Sequence, residues 1–134
     1  MVTPRVGHVR HPRVGVPSVY IGRTMLGQRL KDVGWGNPFR LGVNSDDPVA
    51  DYAAYLDERP DLTIRMPELV GRDLLCWCRV GPLAEAPYGV CHGDVLLERV
   101  KRWEREHPEA AEAIRTQLRL AEMWRPITSA VAFG

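Results

Sequence analysis

The 134-residue chain has no long hydrophobic run: its uninterrupted apolar stretches last only a few residues, far short of the roughly 20 needed to span a bilayer. A membrane-spanning helix is therefore not expected. Residues 1–15 carry Arg5, Arg10 and Arg13 with no apolar core behind them, which argues against a secretory signal. Charge of one sign is also scarce. Lys and Arg number 18 against 17 Asp and Glu, a net of +1, which excludes a uniformly basic protein, so bulk charge does not argue for a nucleic-acid coat or an anionic-membrane binder. Cysteines are few as well. The three, at positions 76, 78 and 91, are odd in number and too clustered to brace a fold, which excludes a disulfide scaffold. Thiols used as ligands or as a nucleophile are the better reading, and a reducing, cytoplasmic compartment is the expectation.

What remains is ordinary for a globular protein: 45% hydrophobic and 26% charged residues, enough apolar content to exclude a wholly disordered chain. The length suits one domain, and a chain of this size buries enough surface to fold without cross-links. No internal repeat is visible. The near-neutral total hides an asymmetry, because residues 1–40 carry six arginines and Lys31 against the single acid Asp32, a net of +6, whereas residues 41–134 carry −5. Such a split points to internal pairing, to an anionic ligand at the basic third, nucleic acid included, or simply to a solvated arm.

Along the chain, Val19-Tyr20-Ile21 is a β-branched and aromatic run bounded by Pro17 and Gly22, and it reads as a buried strand over 17–21. Residues 34–39, Gly-Trp-Gly-Asn-Pro-Phe, must be a shaped loop, since glycine and proline at this density break helix and strand alike. Asp46-Asp47-Pro48 is a helix start. Val49, Tyr52, Ala53 and Leu56 then mark one apolar face of a helix over 47–57. A short helical piece is expected over 61–66, and a second strand over 73–77. On that strand Cys76 and Cys78 share one face and Leu75 and Trp77 the other. Gly81 to Gly89 reads as a loop. Leu96, Leu97, Val100 and Trp103 stripe a helix over 93–106. A last helix, 108–124, carries Ala110, Ile114, Leu118, Ala121 and Arg125 along its apolar side, with Trp124 beside them. The expected architecture is a small single-domain α/β protein: a basic N-terminal arm (1–15), an α/β core of sheet and flanking helices (16–106), and an appended C-terminal helix and tail (107–134).

The chemistry-bearing cluster is Cys76-x-Cys78, twelve intervening residues, then Cys91-His92. Thiolates and imidazole are the donors zinc prefers, and four of them complete a tetrahedral site. The spacing is not a standard knuckle, and an iron–sulfur centre is a weaker use of the same donors. A second reading is nucleophilic. Cys91 sits at a helix N-terminus, where the dipole and open N–H groups favour a thiolate, with His92 or Asp94 as proton partner. Those N–H groups can instead hold a phosphate, with Arg23 as an anion contact. In the aromatic loop, Trp35 and Phe39 either plug the core or offer Trp35 as a stacking face and Asn37 as a hydrogen-bonding edge for a base. The bland alternative throughout is packing: buried cysteines, a satisfied histidine, and a first-turn acid at Asp94.

The order of these segments is informative. Tyr20-Ile21-Gly22-Arg23, Trp35-Gly36-Asn37-Pro38-Phe39, a tyrosine-bearing helix, Pro67-Glu68-Leu69-Val70-Gly71-Arg72-Asp73-Leu74, Cys76-Trp77-Cys78 and Cys91-His92-Gly93-Asp94-Val95-Leu96-Leu97 together resemble a small bacterial and phage family, domain-of-unknown-function family 4326. The resemblance spans about residues 18–100 and leaves the C-terminal helix outside. It implies a compact intracellular domain whose hallmark positions are Arg23, Trp35, Asn37, Cys76, Cys78, Cys91, His92 and Asp94, without implying a reaction. The functional expectation is a ligand-binding or catalytic pocket for a nucleotide or nucleic-acid component. Cys91, His92 and Asp94 would be its catalytic group and Arg23, Trp35 and Asn37 its ligand contacts, with zinc held by Cys76, Cys78, Cys91 and His92. The alternative is a non-enzymatic interaction module with a structural Cys/His zinc site.

Overall fold

The computed structural model describes residues 3–77 and 91–133. Three short strands, β1 (Val6–His8), β2 (Ser18–Tyr20) and β3 (Asp73–Cys76), form a parallel sheet in the order β1-β3-β2. The helices are α1 (Pro48–Asp57), α2 (Pro60–Thr63), α3 (His92–Glu106) and α4 (Pro108–Phe133), with single 3-10 turns at Leu26–Gln28 and Met66–Leu69. This is the small α/β domain expected. Among the described residues no helix is long and apolar enough to cross a membrane.

β3 is the central strand and all four of its residues are buried, as a parallel strand covered on both faces requires. Its register pairs Val6 with Leu74 on one side and Val19 with Leu74 on the other. Leu74 thus sits fully buried at the middle of the sheet, where removing such a side chain from water contributes roughly 1.5–3 kcal/mol. The N-terminal segment is not simply a solvated arm, because Val6–His8 is one of the strands. Three residues with a central glycine carry no readable alternation, and the partner β3 supplies the order. Arg13 is drawn in as well. Its guanidinium clamps Asp73 through Nε–Oδ2 at 2.7 Å and Nη2–Oδ1 at 2.5 Å, while the Arg5 amide donates to Asp73 Oδ1 at 3.0 Å. Part of the charge asymmetry is therefore internal pairing.

α1 begins as its sequence directs. The Asp47 side chain accepts the Ala50 N–H at 3.1 Å and Pro48 occupies the first turn. Tyr52 and Leu56 are buried, with Val49 and Ala53 packed beside them. α3 buries Val95, Leu96 and Val100 against the same core, and an Arg99–Asp57 ion pair ties it to α1. The short α2 and the following turn bury Leu62, Met66 and Leu69. Gly71, at φ +74°, then turns the chain into β3 with Leu118 of α4 against it. α4 differs from expectation by a small rotation. Ala111 is fully buried, with Ile114 and Leu118 partly so, whereas Ala110 and Ala121 are exposed. Alanine is too weakly apolar for spacing alone to choose between neighbouring positions. The side chains of Trp124 and Arg125 lie outside the described residues, as do Cys78 and the expected 81–89 loop.

Candidate functional site

The parallel sheet ends β2 and β3 side by side, and α3 begins at that same edge. Open parallel sheets place ligands at this end of their strands. A cleft of about 680 Å³ lies there, with Cys76, Cys91 and His92 in its floor and Arg23, Asn37 and Arg40 in its wall.

Cys91 is the N-cap of α3. Its sulfur accepts the Gly93 N–H at 3.3 Å, and its own N–H donates to Asp94 Oδ2 at 3.3 Å, closing a reciprocal capping box. Serine, threonine, aspartate or asparagine would cap better, so a cysteine here gives up capping strength for a sulfur at the cleft floor. Asp94 closes this box and is not among the described residues lining the cleft. Through that bond it positions Cys91, the residue it was expected to work beside. Gly93 is needed for close approach, because a Cβ there would lie 2.9 Å from both Ile21 Cδ1 and Val6 Cγ1.

His92 is 7% exposed and packs edge-on against Tyr52, with ring centroids 4.9 Å apart. Its Nε2 lies 2.8 Å from the Ile21 carbonyl oxygen. A carbonyl only accepts, so the proton is on Nε2, and in the neutral ring Nδ1 is the acceptor. That Nδ1 lies 3.9 Å from Cys91 Sγ. Cys76, at the end of β3, brings its sulfur to 3.1 Å from the sulfur of Cys91.

The wall is built by the 34–39 loop. Asp32 Oδ1 accepts the N–H groups of Gly34 at 2.8 Å and Gly36 at 3.0 Å. Asn37 donates to the Pro48 carbonyl at 3.1 Å and accepts the Phe39 N–H at 3.0 Å. Arg23 donates Nε to the Asn37 carbonyl at 2.8 Å and Nη2 to the Phe39 carbonyl at 2.7 Å. Arg23 and Asn37 thus shape the wall as well as line it. Trp35 is different: it is 0% exposed, its ring covered by the Arg65 guanidinium 5.1 Å from the centroid. It plugs the core, and the expectation that it stacks on a ligand is corrected. A tryptophan in a glycine-rich loop suits either role, and only burial decides.

Residues 6–102 match the model of a family described as a domain of unknown function, DUF4326. The chain belongs to this family. It is also similar to the uncharacterized protein R718 of Acanthamoeba polyphaga mimivirus, 37% identical over 89 residues, which are 63% of this chain and 67% of that protein. No solved structure matches the chain. The cleft of this DUF4326 domain lies wholly within the matched residues.

Of the four expected zinc ligands, Cys76, Cys91 and His92 converge in this DUF4326 domain, while Cys78 lies outside the described residues. Among the described residues no three His, Cys, Asp or Glu groups are arranged to hold a metal ion. Two contributors to the site carried no signal in the sequence. Arg40 simply follows the loop into the cleft wall. Tyr52 reads as one residue of the α1 apolar face, yet its hydroxyl donates to the Trp35 carbonyl at 2.7 Å and its ring backs His92. Burial raises the Tyr52 phenol pKa above its ordinary 10.0, the main cause being desolvation. A raised folded-state value means that the contribution to stability is intact below pH 10 and is lost as pH rises through the folded value. Denaturant midpoints should therefore fall above about pH 10, and Tyr52→Phe should flatten that alkaline slope while costing about 1 kcal/mol at neutral pH for the lost hydrogen bond.

Proposed function

We propose that the cleft binds an anionic ligand bearing a planar ring, a nucleotide or nucleic-acid component, and presents Cys91 and His92 to it. One observation supports this most: Arg23 and Arg40 line the cleft with Tyr20, Phe39 and Trp77, and no acidic side chain among the described residues joins them. Two guanidiniums without a neighbouring carboxylate attract phosphate, and the three rings offer stacking faces. Arg40 is exposed, and its guanidinium makes no ion pair or hydrogen bond among the described residues. It is therefore the side chain to test, because Arg23 also holds the loop.

The experiment is a thermal-shift screen of the full chain against nucleotides, the matching nucleosides and inorganic phosphate. A true ligand at 100 times its Kd stabilises the fold by about 2.7 kcal/mol, so the melting temperature should rise by several degrees with a nucleotide. The rise should be smaller with the nucleoside and mostly lost in Arg40→Glu. No shift with any nucleotide, or an undiminished shift in Arg40→Glu, would overturn the reading.

A second reading is a structural zinc in an interaction module, held by Cys76, Cys78, Cys91 and His92. Its support is the carbonyl that fixes the His92 ring, since metal-bound imidazoles are commonly oriented by such a partner. Elemental analysis of the purified chain should then find about one zinc per molecule, with chelation unfolding it.

A further inference from the structure

We infer that Cys76 and Cys91 form a dithiol–disulfide pair that exchanges with small-molecule disulfides entering the cleft. The sulfurs are 3.1 Å apart, and both side chains line the cleft. Two zinc–sulfur bonds of about 2.3 Å at a tetrahedral angle would hold sulfurs roughly 3.7 Å apart. The pair is closer than that, and about 1 Å of approach completes a disulfide.

The backbones on either side are already fixed. Cys76 is held in the sheet opposite His8, with its carbonyl accepting the Val9 N–H at 3.0 Å. Cys91 is held by its capping box, with its carbonyl accepting the Asp94 N–H at 2.9 Å. These cysteines are 15 positions apart in sequence and sit on different elements, so their contact is a product of the fold and not of local chain geometry.

The exchange balances with a disulfide RS–SR as co-reactant. The Cys91 sulfur, beside the Gly93 N–H, attacks one sulfur of RS–SR. The S–S bond breaks, and RS⁻ leaves with the proton that Cys91 gave up. The Cys76 sulfur then attacks the Cys91 sulfur of the mixed disulfide, forming the Cys76–Cys91 bond and releasing the second thiol with the Cys76 proton. Two electrons pass to the co-reactant, which becomes two RSH. This inference does not rest on the nucleotide reading, and its test contains no nucleotide.

The test equilibrates the full chain in glutathione buffers of graded ratio, quenches with acid, alkylates, and reads intact and peptide masses. Zinc content is measured on the same sample. Wild type and Cys78→Ser should each lose two hydrogens, with the link mapped to Cys76–Cys91 and reversed by dithiothreitol. Cys91→Ser should show no such link, and because serine is itself a good cap, this variant keeps its fold by circular dichroism. Cys76→Ser should stop at a Cys91–glutathione adduct. A link that maps to Cys78, no link at any ratio in folded protein, or stoichiometric zinc that blocks oxidation would each overturn the pair.

Discussion

Asp73→Ala should destabilise the domain by about 3 kcal/mol, in the range for removing one partner of a buried ion pair. The Asp73 side chain is 3% exposed and that of Arg13 25%, so the cost includes more than the lost attraction. It leaves the Arg5 N–H without its acceptor and the Arg13 guanidinium partly buried without its counter-charge. Asp73 also opens β3, the strand to which both others pair, so the loss falls on the hinge between the N-terminal segment and the sheet. In thermal denaturation this corresponds to a drop of about 10 °C. Arg13→Ala should cost less, because that side chain is partly in water. The double variant should cost less than the sum, since each single change strands the other group. Additive losses in the cycle would show that the clamp is not a coupled unit.

Trp35→Ala should cost about 3–5 kcal/mol, the range for emptying the place of a large buried aromatic. Trp35 is among the largest fully buried side chains, and its indole N–H has no hydrogen-bond partner among the described residues. Trp35→Phe should therefore be much milder, because it removes an unsatisfied polar atom along with part of the volume. The substitution should also reach the cleft. The Trp35 carbonyl receives the Tyr52 hydroxyl, and the Tyr52 ring backs His92. Denaturant titration of both variants measures the stability gap. A Trp35→Ala protein as stable as wild type would mean that the ring is not the plug that its burial describes.

The helices were legible because their signals are local. Asp47 and Pro48 mark the start of α1, and Tyr52 and Leu56 face the core at helical spacing. Leu96 and Val100 do the same for α3. β1 was not legible, because Val6-Gly7-His8 has no pattern of its own and becomes a strand only beside Leu74-Leu75-Cys76. The site was legible in part. Arg23, Asn37, Cys76, Cys91 and His92 do gather at one cleft, but their roles were open. Trp35 is core, Asp94 closes the Cys91 cap, Arg40 went unmarked, and Tyr52 was marked only as part of the α1 apolar face.

Composition, capping residues and apolar spacing by themselves determined a small α/β domain with helices at these positions and a Cys/His cluster at the start of one of them. Those features depend on residues within a few positions of each other, and covalent geometry makes them readable. Only the tertiary structure decided that the Cys76 and Cys91 sulfurs touch, that His92 carries its proton on Nε2, and that Arg13 belongs to Asp73. Each of these joins segments that the chain alone leaves independent, and packing around β3 brings them together.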